Sequence, residues 1–276
     1  LSYLSPQDLP TALSAFAGGE PPCIVAGGTD LYPALRPGTR PTRLLDVTRI
    51  AGFSDITQTE AGLRFGAAVT WTQIVKADLP PAFDALRQAA REVGSLQIQN
   101  AGTIAGNLCN ASPAADGVPP LLALDAQIEL SSAARGTRRL DLSAFITGVR
   151  QTARAPDELV TAVLIPPLPQ GMTSAFKKLG SRRYLVISIA MTAANLVLDH
   201  AGRIAEARIA VGACSAVAQR LPALEAALLG QRSGDVLVDP AHLAPLAPID
   251  DVRGSGAYRL EAAATQIQRA IQKAAP

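Results

Sequence analysis

The chain reads as an α+β protein: two N-terminal lobes, then an antiparallel sheet-and-helix domain. Three observations predict this. Short apolar runs ending in glycine alternate with helical stripes through the first 165 residues or so. Pro166-Pro167-Leu168-Pro169-Gln170-Gly171 then breaks the pattern more strongly than any other stretch. After it come long runs at residues 174–179, 187–199 and 203–213 with the character of antiparallel strands, the last two joined by a tight turn at 200–202.

The elements follow in order. Asp8 caps a helix with Pro10 in its first turn and Leu9, Leu13 and Phe16 on one stripe. Gly18-Gly19-Glu20-Pro21-Pro22 ends it. A buried strand at 23–26 runs into Gly27-Gly28, and 43–47 reads as its neighbour, giving a small βαβ-like unit. Residues 62–67 form a strand. Thr70 caps a helix carrying Trp71, Ile74 and Val75, and 81–93 reads as one further helix. A glycine-rich stretch at 100–116 follows. The segment 116–124 is helical from near Pro119, and 127–131, 137–142 and 158–165 alternate as strands. Helices at 219–229 and 257–273 cover the C-terminal sheet. The second carries Leu260, Ala263, Ile267 and Ile271 at helical spacing. The expected division is 1–168, with lobes of about 1–55 and 56–168, and 169–276.

Composition narrows the function classes. The chain has 276 residues, 48% hydrophobic and 17% charged, with mean hydropathy +0.20. Close packing of small residues accounts for that surplus, and so does a surface covered by partner subunits. A net charge of +2 without basic clusters interleaved by aromatics argues against nucleic acid. No run reaches the ~18 apolar residues of a membrane span. The opening Leu1-Ser2-Tyr3-Leu4-Ser5-Pro6 has no basic start before an apolar run, so the expected location is cytoplasmic. Cys23, Cys109 and Cys214 are far apart and form no CxxC. This argues against a metal or iron–sulfur site in this chain and reads as buried free thiols. His200 and His242 stand in polar or Pro-rich loops and suit no catalytic or metal role.

Two segments carry the chemistry. Residues 24–31 are Ile24, Val25, Ala26, Gly27, Gly28, Thr29, Asp30 and Leu31. Glycines directly after a buried strand make either a plain turn or a turn whose N–H groups approach a pyrophosphate. The pattern is not GxGxxG. The stretch 100–116 includes Thr103, Ile104, Ala105, Gly106 and Asn107 and ends at Asp116. Its small residues suit a backbone lying flat against a large ligand, and equally a packing contact between lobes. Asp116 is either a ligand or a helix cap.

Five segments together resemble one family. They are 24–31, 103–108, 111–116, Ser174-Ala175-Phe176-Lys177-Lys178-Leu179-Gly180-Ser181-Arg182, and Ile249-Asp250-Asp251-Val252-Arg253-Gly254-Ser255-Gly256-Ala257-Tyr258-Arg259. In this order and spacing the chain resembles the FAD-binding subunit of molybdenum hydroxylases, the xanthine dehydrogenase and aerobic carbon monoxide dehydrogenase group. The resemblance implies an FAD-binding domain of the VAO/MurB-like (FAD-binding type 2) class. It puts Ala26 to Asp30 on the pyrophosphate, and Thr103, Gly106 and Asn107 on the flavin side. It adds Asp116, a backbone contact at Val160, and Lys178 near the flavin with Lys177 as rival. Ile187 or a neighbour would cover one flavin face. Molybdopterin is implied in a large partner subunit and two [2Fe–2S] clusters in a small one, as a dimer of heterotrimers. Two departures stand out. Ala105 replaces a family glycine. Leu185-Val186-Ile187-Ser188 replaces an Asp-x-Ala step, which leaves the electron acceptor open. Other readings are a self-contained MurB-like FAD oxidoreductase and a flavin-free scaffold.

Overall fold

The computed structural model describes residues 2–17, 19–36, 38 and 40–275. Leu1 and Gly18, used above for the chain start and the first break, lie outside them. The first lobe is a parallel sheet of three short strands: β1 (Ser2–Leu4), β2 (Cys23–Val25) and β3 (Arg43–Asp46), in the order β1-β3-β2. Helix α1 (Leu9–Ser14) starts where Asp8 accepts a bond from the Thr11 N–H at 2.8 Å. A single turn, α2 (Leu31–Ala34), follows the glycine pair. The βαβ-like unit is present, and β1 is a strand that three exposed residues did not announce.

The second lobe is an antiparallel sheet built from β4 (Ile56–Thr59), β5 (Gly62–Gly66), β6 (Gln127–Ser132), β7 (Gly136–Asp141) and β10 (Leu159–Ile165). Its order is β4-β5-β10-β6-β7, so β10 sits at the centre and is almost wholly buried. Helix α3 (Trp71–Lys76) begins at a capping box of Thr70 and Gln73. A 3₁₀ turn at Pro81–Phe83 precedes α4 (Asp84–Glu92), so the segment read as one helix is two pieces. Residues 100–116 are not a flat strap. They contain the end of α5 (Leu96–Ala101), a break at Gly102 and all of α6 (Ile104–Asn110). Thr103 caps α6 through a bond from the Gly106 N–H at 3.1 Å, and this local cap wins over an extended course. Helix α7 (Val118–Ala123) follows, then α8 (Leu142–Phe145) and a hairpin of β8 (Ile146–Gly148) and β9 (Gln151–Thr152).

Beyond the proline-rich break, β11 (Thr173–Leu179), β12 (Ala190–Leu198), β13 (Ile204–Gly212) and β14 (Gln219–Arg220) form an antiparallel sheet in that order. Two expectations change here. Strand β12 starts at Ala190, because residues 181–188 loop out with Leu185 at φ +49°. The helix expected from 219 starts at Pro222 as α9 (Pro222–Leu228), since Gln219 and Arg220 pair with β13 first. Helix α10 (Gly256–Ala274) lies over the sheet and buries Ala263, Ile267, Ala270 and Ile271. Each isoleucine contributes about 1.5–3 kcal/mol of burial.

The C-terminal sheet is bonded directly to the helices before it. Ser174 Oγ donates to the Ala82 carbonyl at 2.8 Å and accepts from the Ala85 N–H at 2.9 Å. Asn195 donates to the same carbonyl, and the Ala213 N–H reaches the Pro113 carbonyl at 3.0 Å. Phe176, Met191 and Ala193 enter the same apolar core as Trp71 and Leu86. Among the described residues no helix is long and apolar enough to cross a membrane.

Candidate cofactor site

The two glycine stretches meet. A Cβ on Gly27 would lie 1.8 Å from the Ala101 carbonyl oxygen at the end of α5. Only glycine lets the backbones approach so closely. Gly28 has φ +67° and faces the Tyr32 ring, which its Cβ would meet at 2.3 Å. Between the first stretch, α6, the start of β10 and the β8–β9 hairpin lies a cavity of about 740 Å³. That is within the ~300–1,000 Å³ usual for ligand sites.

Thirteen of the seventeen expected residues line it: Ile24, Val25, Ala26, Gly27, Gly28, Thr29, Asp30, Leu31, Thr103, Ala105, Gly106, Asn107 and Val160. Val160 stands where the β10–β6 register shifts. Such a bulge re-aims a side chain or backbone group. Four expected residues do not line the cavity. Ile104 is fully buried in the core. Ile187 is 52% exposed on the 181–188 loop. Asp116 and Lys178 bond to each other instead, at 2.6 Å, with side chains 8% and 6% exposed.

That pair sits directly behind the wall. Lys178 also donates to the Glu92 carbonyl at 3.3 Å, one residue before the lining Val93. Asp116 precedes Gly117, whose Cβ would meet Trp71 and the Asn107 Oδ1. Ser188 Oγ donates to the second Asp116 oxygen at 2.7 Å. Burial pushes the Asp116 carboxyl above the ordinary range, against the pull of Lys178 and Ser188. Asp116 does not cap α7, whose N-cap is Gly117. Lys177, the rival of Lys178, faces the opposite side of β11 by strand alternation.

Several lining residues were not expected: Trp71, Cys109, Asn110, Arg150 and Arg154 among them. Arg150, at the hairpin turn with φ +58°, donates through Nη1 to Asp30 at 3.0 Å and to the Asn110 side chain. Cys23 and Cys109 also open to this cavity, so of the three thiols only Cys214 is buried. Burial of its surroundings pushes the Cys109 thiol up to about 11.

The site suits a phosphate-bearing cofactor. The Gly27–Gly28 turn forms a cradle that a side chain would fill. The Asn107 Oδ1 is buried, and no protein donor reaches it among the described residues. Such an orphan calls for an outside partner.

Comparison with known proteins agrees with this geometry. The family model for the FAD binding domain in molybdopterin dehydrogenase matches residues 1–168, and that for the CO dehydrogenase flavoprotein C-terminal domain matches residues 174–274. The chain belongs to the medium, FAD-binding subunits of the molybdenum hydroxylases. It is 32% identical to the 6-hydroxypseudooxynicotine dehydrogenase complex subunit alpha of Paenarthrobacter nicotinovorans, over 99% of this chain and 93% of that one. It is 31% identical to the xanthine dehydrogenase FAD-binding subunit of Escherichia coli O157:H7, over 99% and 95%. A chain of the reconstituted CO dehydrogenase from Oligotropha carboxidovorans superposes with TM-score 0.88 at 26% identity, over 99% of this chain and 97% of that one. The fold is therefore the FAD-binding domain plus C-terminal sheet domain of that family, and the chain is the flavoprotein subunit of an oxidoreductase. Of the two departures from the family pattern, Ala105 lies inside α6 with helical geometry. Alanine there favours the helix over glycine by about 1 kcal/mol. In the other, Ser188 supplies a hydroxyl to Asp116.

Proposed function

We propose that this flavoprotein subunit holds FAD in the cavity and passes electrons to an external acceptor. They would come from [2Fe–2S] clusters of a small partner subunit, with molybdopterin in a large one, as a dimer of heterotrimers. When bound, FAD supplies a two-electron carrier between one-electron clusters and the acceptor. The chain's own residues bind it and exclude water. The backbone N–H groups of Ala26 to Asp30 would face the pyrophosphate. Thr103, Gly106 and Asn107 would hold the flavin side, and the Val160 backbone the far wall. Asp116 and Lys178 act from behind the wall as a rigid charged support rather than as free groups, and Ile187 belongs to the acceptor side. The proposed division is 1–168, with lobes of about 1–55 and 56–168, for the cofactor and 169–276 for the C-terminal domain. A cytoplasmic location belongs to the same reading and accords with three free thiols.

The observation that carries this reading is the convergence of both glycine stretches on one cavity with an unpartnered Asn107 oxygen. The test is the absorption spectrum of the purified chain, alone and with its partners. A flavin band at about one FAD per chain, bleached when the partner complex receives substrate, is expected. Absence of flavin in both preparations means a scaffold. Reoxidation of the reduced complex by NAD, a quinone or oxygen, followed by stopped flow, identifies the acceptor.

A further inference from the structure

The charged residues lining the cavity are Asp30, Arg150 and Arg154. A cofactor diphosphate brings two negative charges to a turn that already carries the Asp30 carboxylate. Unscreened, that acid would repel the ligand. Arg154 Nη1 donates to the Ala155 and Glu158 carbonyls at 3.1 and 2.8 Å, which ties that side chain to the loop before β10. Arg150 reaches the glycine turn instead. Its Nη1 takes Asp30 at 3.0 Å, the Asn110 side chain, and the Asn110 carbonyl at 3.4 Å. Among the described residues no group engages its Nε or Nη2.

The backbone fixes where this guanidinium stands. The Arg150 N–H donates to the Ala111 carbonyl at 2.9 Å, and both residues are left-handed, at φ +58° and +46°. The hairpin turn is thereby tied to the end of α6. Asp30, at the end of the glycine turn, holds the side chain from the other direction. One arm of a planar fork is spent on orientation, and the remaining donors of this cavity-lining residue have no protein partner among the described residues.

We propose that Arg150 is a diphosphate-binding residue, with Asp30 and Asn110 as its positioning residues. The assignment rests on the FAD reading above and adds to it a side chain that binds phosphate. Asp30 then serves the cofactor indirectly: it orients the cation that cancels its own repulsion. Its half-exposed pair with Arg150 is weak enough to be shared with a ligand.

The test is a titration of the full chain, stripped of flavin, with FAD and with ADP, at low and high salt. Arg150→Ala is expected to weaken both ligands ten- to a hundredfold and to flatten the salt dependence. Arg150→Lys should recover part of the affinity, because the charge returns without the fork. Asp30→Asn should weaken FAD less than Arg150→Ala does. Riboflavin, which has no phosphate, is the control whose binding Arg150→Ala leaves unchanged. The proposal is overturned if Arg150→Ala binds FAD within twofold of wild type, or weakens riboflavin and FAD alike. In either case wild-type FAD binding stands and the functional reading survives. A wild-type chain that binds ADP but not FAD refutes the functional reading instead, and Arg150 is then judged on ADP alone.

Discussion

Replacing Lys178 by Met tests the buried pair behind the cavity. The substitution keeps an apolar stem of similar length but strands Asp116, 8% exposed, with the Ser188 hydroxyl as its remaining side-chain donor. An uncompensated buried carboxylate costs about 3–5 kcal/mol. The acid can escape by binding a proton, and that route caps the loss. Above the ordinary aspartate value of 3.8, protonation costs about 1.4 kcal/mol for each pH unit. The cap is therefore about 4 kcal/mol at pH 7 and about 1.6 kcal/mol at pH 5. The loss should shrink as pH falls, because the variant's folded acid has a raised pKa and its neutral form is favoured in acid. Urea unfolding of both chains at the two pH values reads this directly. The double variant Lys178→Met/Asp116→Asn should recover most of the loss at pH 7, since no charge is left stranded. A deficit under 1 kcal/mol at pH 7, or one equal at both pH values, refutes the reasoning.

Other outcomes follow from the same geometry. Gly27→Ala drives a methyl group into the Ala101 carbonyl. It should cost about 1–3 kcal/mol in thermal unfolding and abolish FAD retention, whereas Gly234→Ala, which meets nothing within 4 Å, should be silent. The Cys109 thiol, at about 11 against an ordinary 9.0, should alkylate roughly a hundredfold more slowly at pH 8 than an ordinary cysteine. Its rate should rise about tenfold per pH unit up to pH 10 and vanish with FAD bound; an ordinary rate at pH 8 contradicts this. Asp251 is held down to about 2, first by the Arg253 N–H and then by the Arg259 and Arg253 side chains. A depressed acid gives stability that is present above pH 3.8 and lost as pH falls through about 2. The difference in urea midpoint between wild type and Asp251→Asn should therefore narrow from pH 5 to pH 2.

Where local chemistry decided an element, the sequence was enough to see it. Asp8 and Thr70 cap their helices as expected, and the proline run at 166–169 separates the two sheet systems. The paired glycines at 27–28 mark the cavity because a backbone contact forbids any side chain there. Features set by distant partners were hidden. Strand β1 exists because β3, forty residues on, gives it an edge. Asn100 to Asp116 looked suited to lying flat against a ligand or to packing between lobes because its residues are small, yet the stretch holds the end of one helix and, capped by Thr103, all of the next. Arg150 was missed because its importance lies in a reach to Asp30, 120 positions away. Asp116 and Lys178 were each expected at the cofactor, and the bond between them, 62 positions apart, was hidden.

The central position of β10 has a consequence for synthesis on the ribosome. Strand β10 is the last element to join its sheet, pairing with β5 and β6 that were made up to a hundred residues earlier. The wall containing Leu159 and Val160 cannot exist until that strand leaves the exit tunnel. A nascent chain shorter than this exposes the glycine turn and the α6 end without the surface that completes them. Cofactor loading must therefore follow translation of β10. The locking contacts from Ser174 and Lys178 come later still.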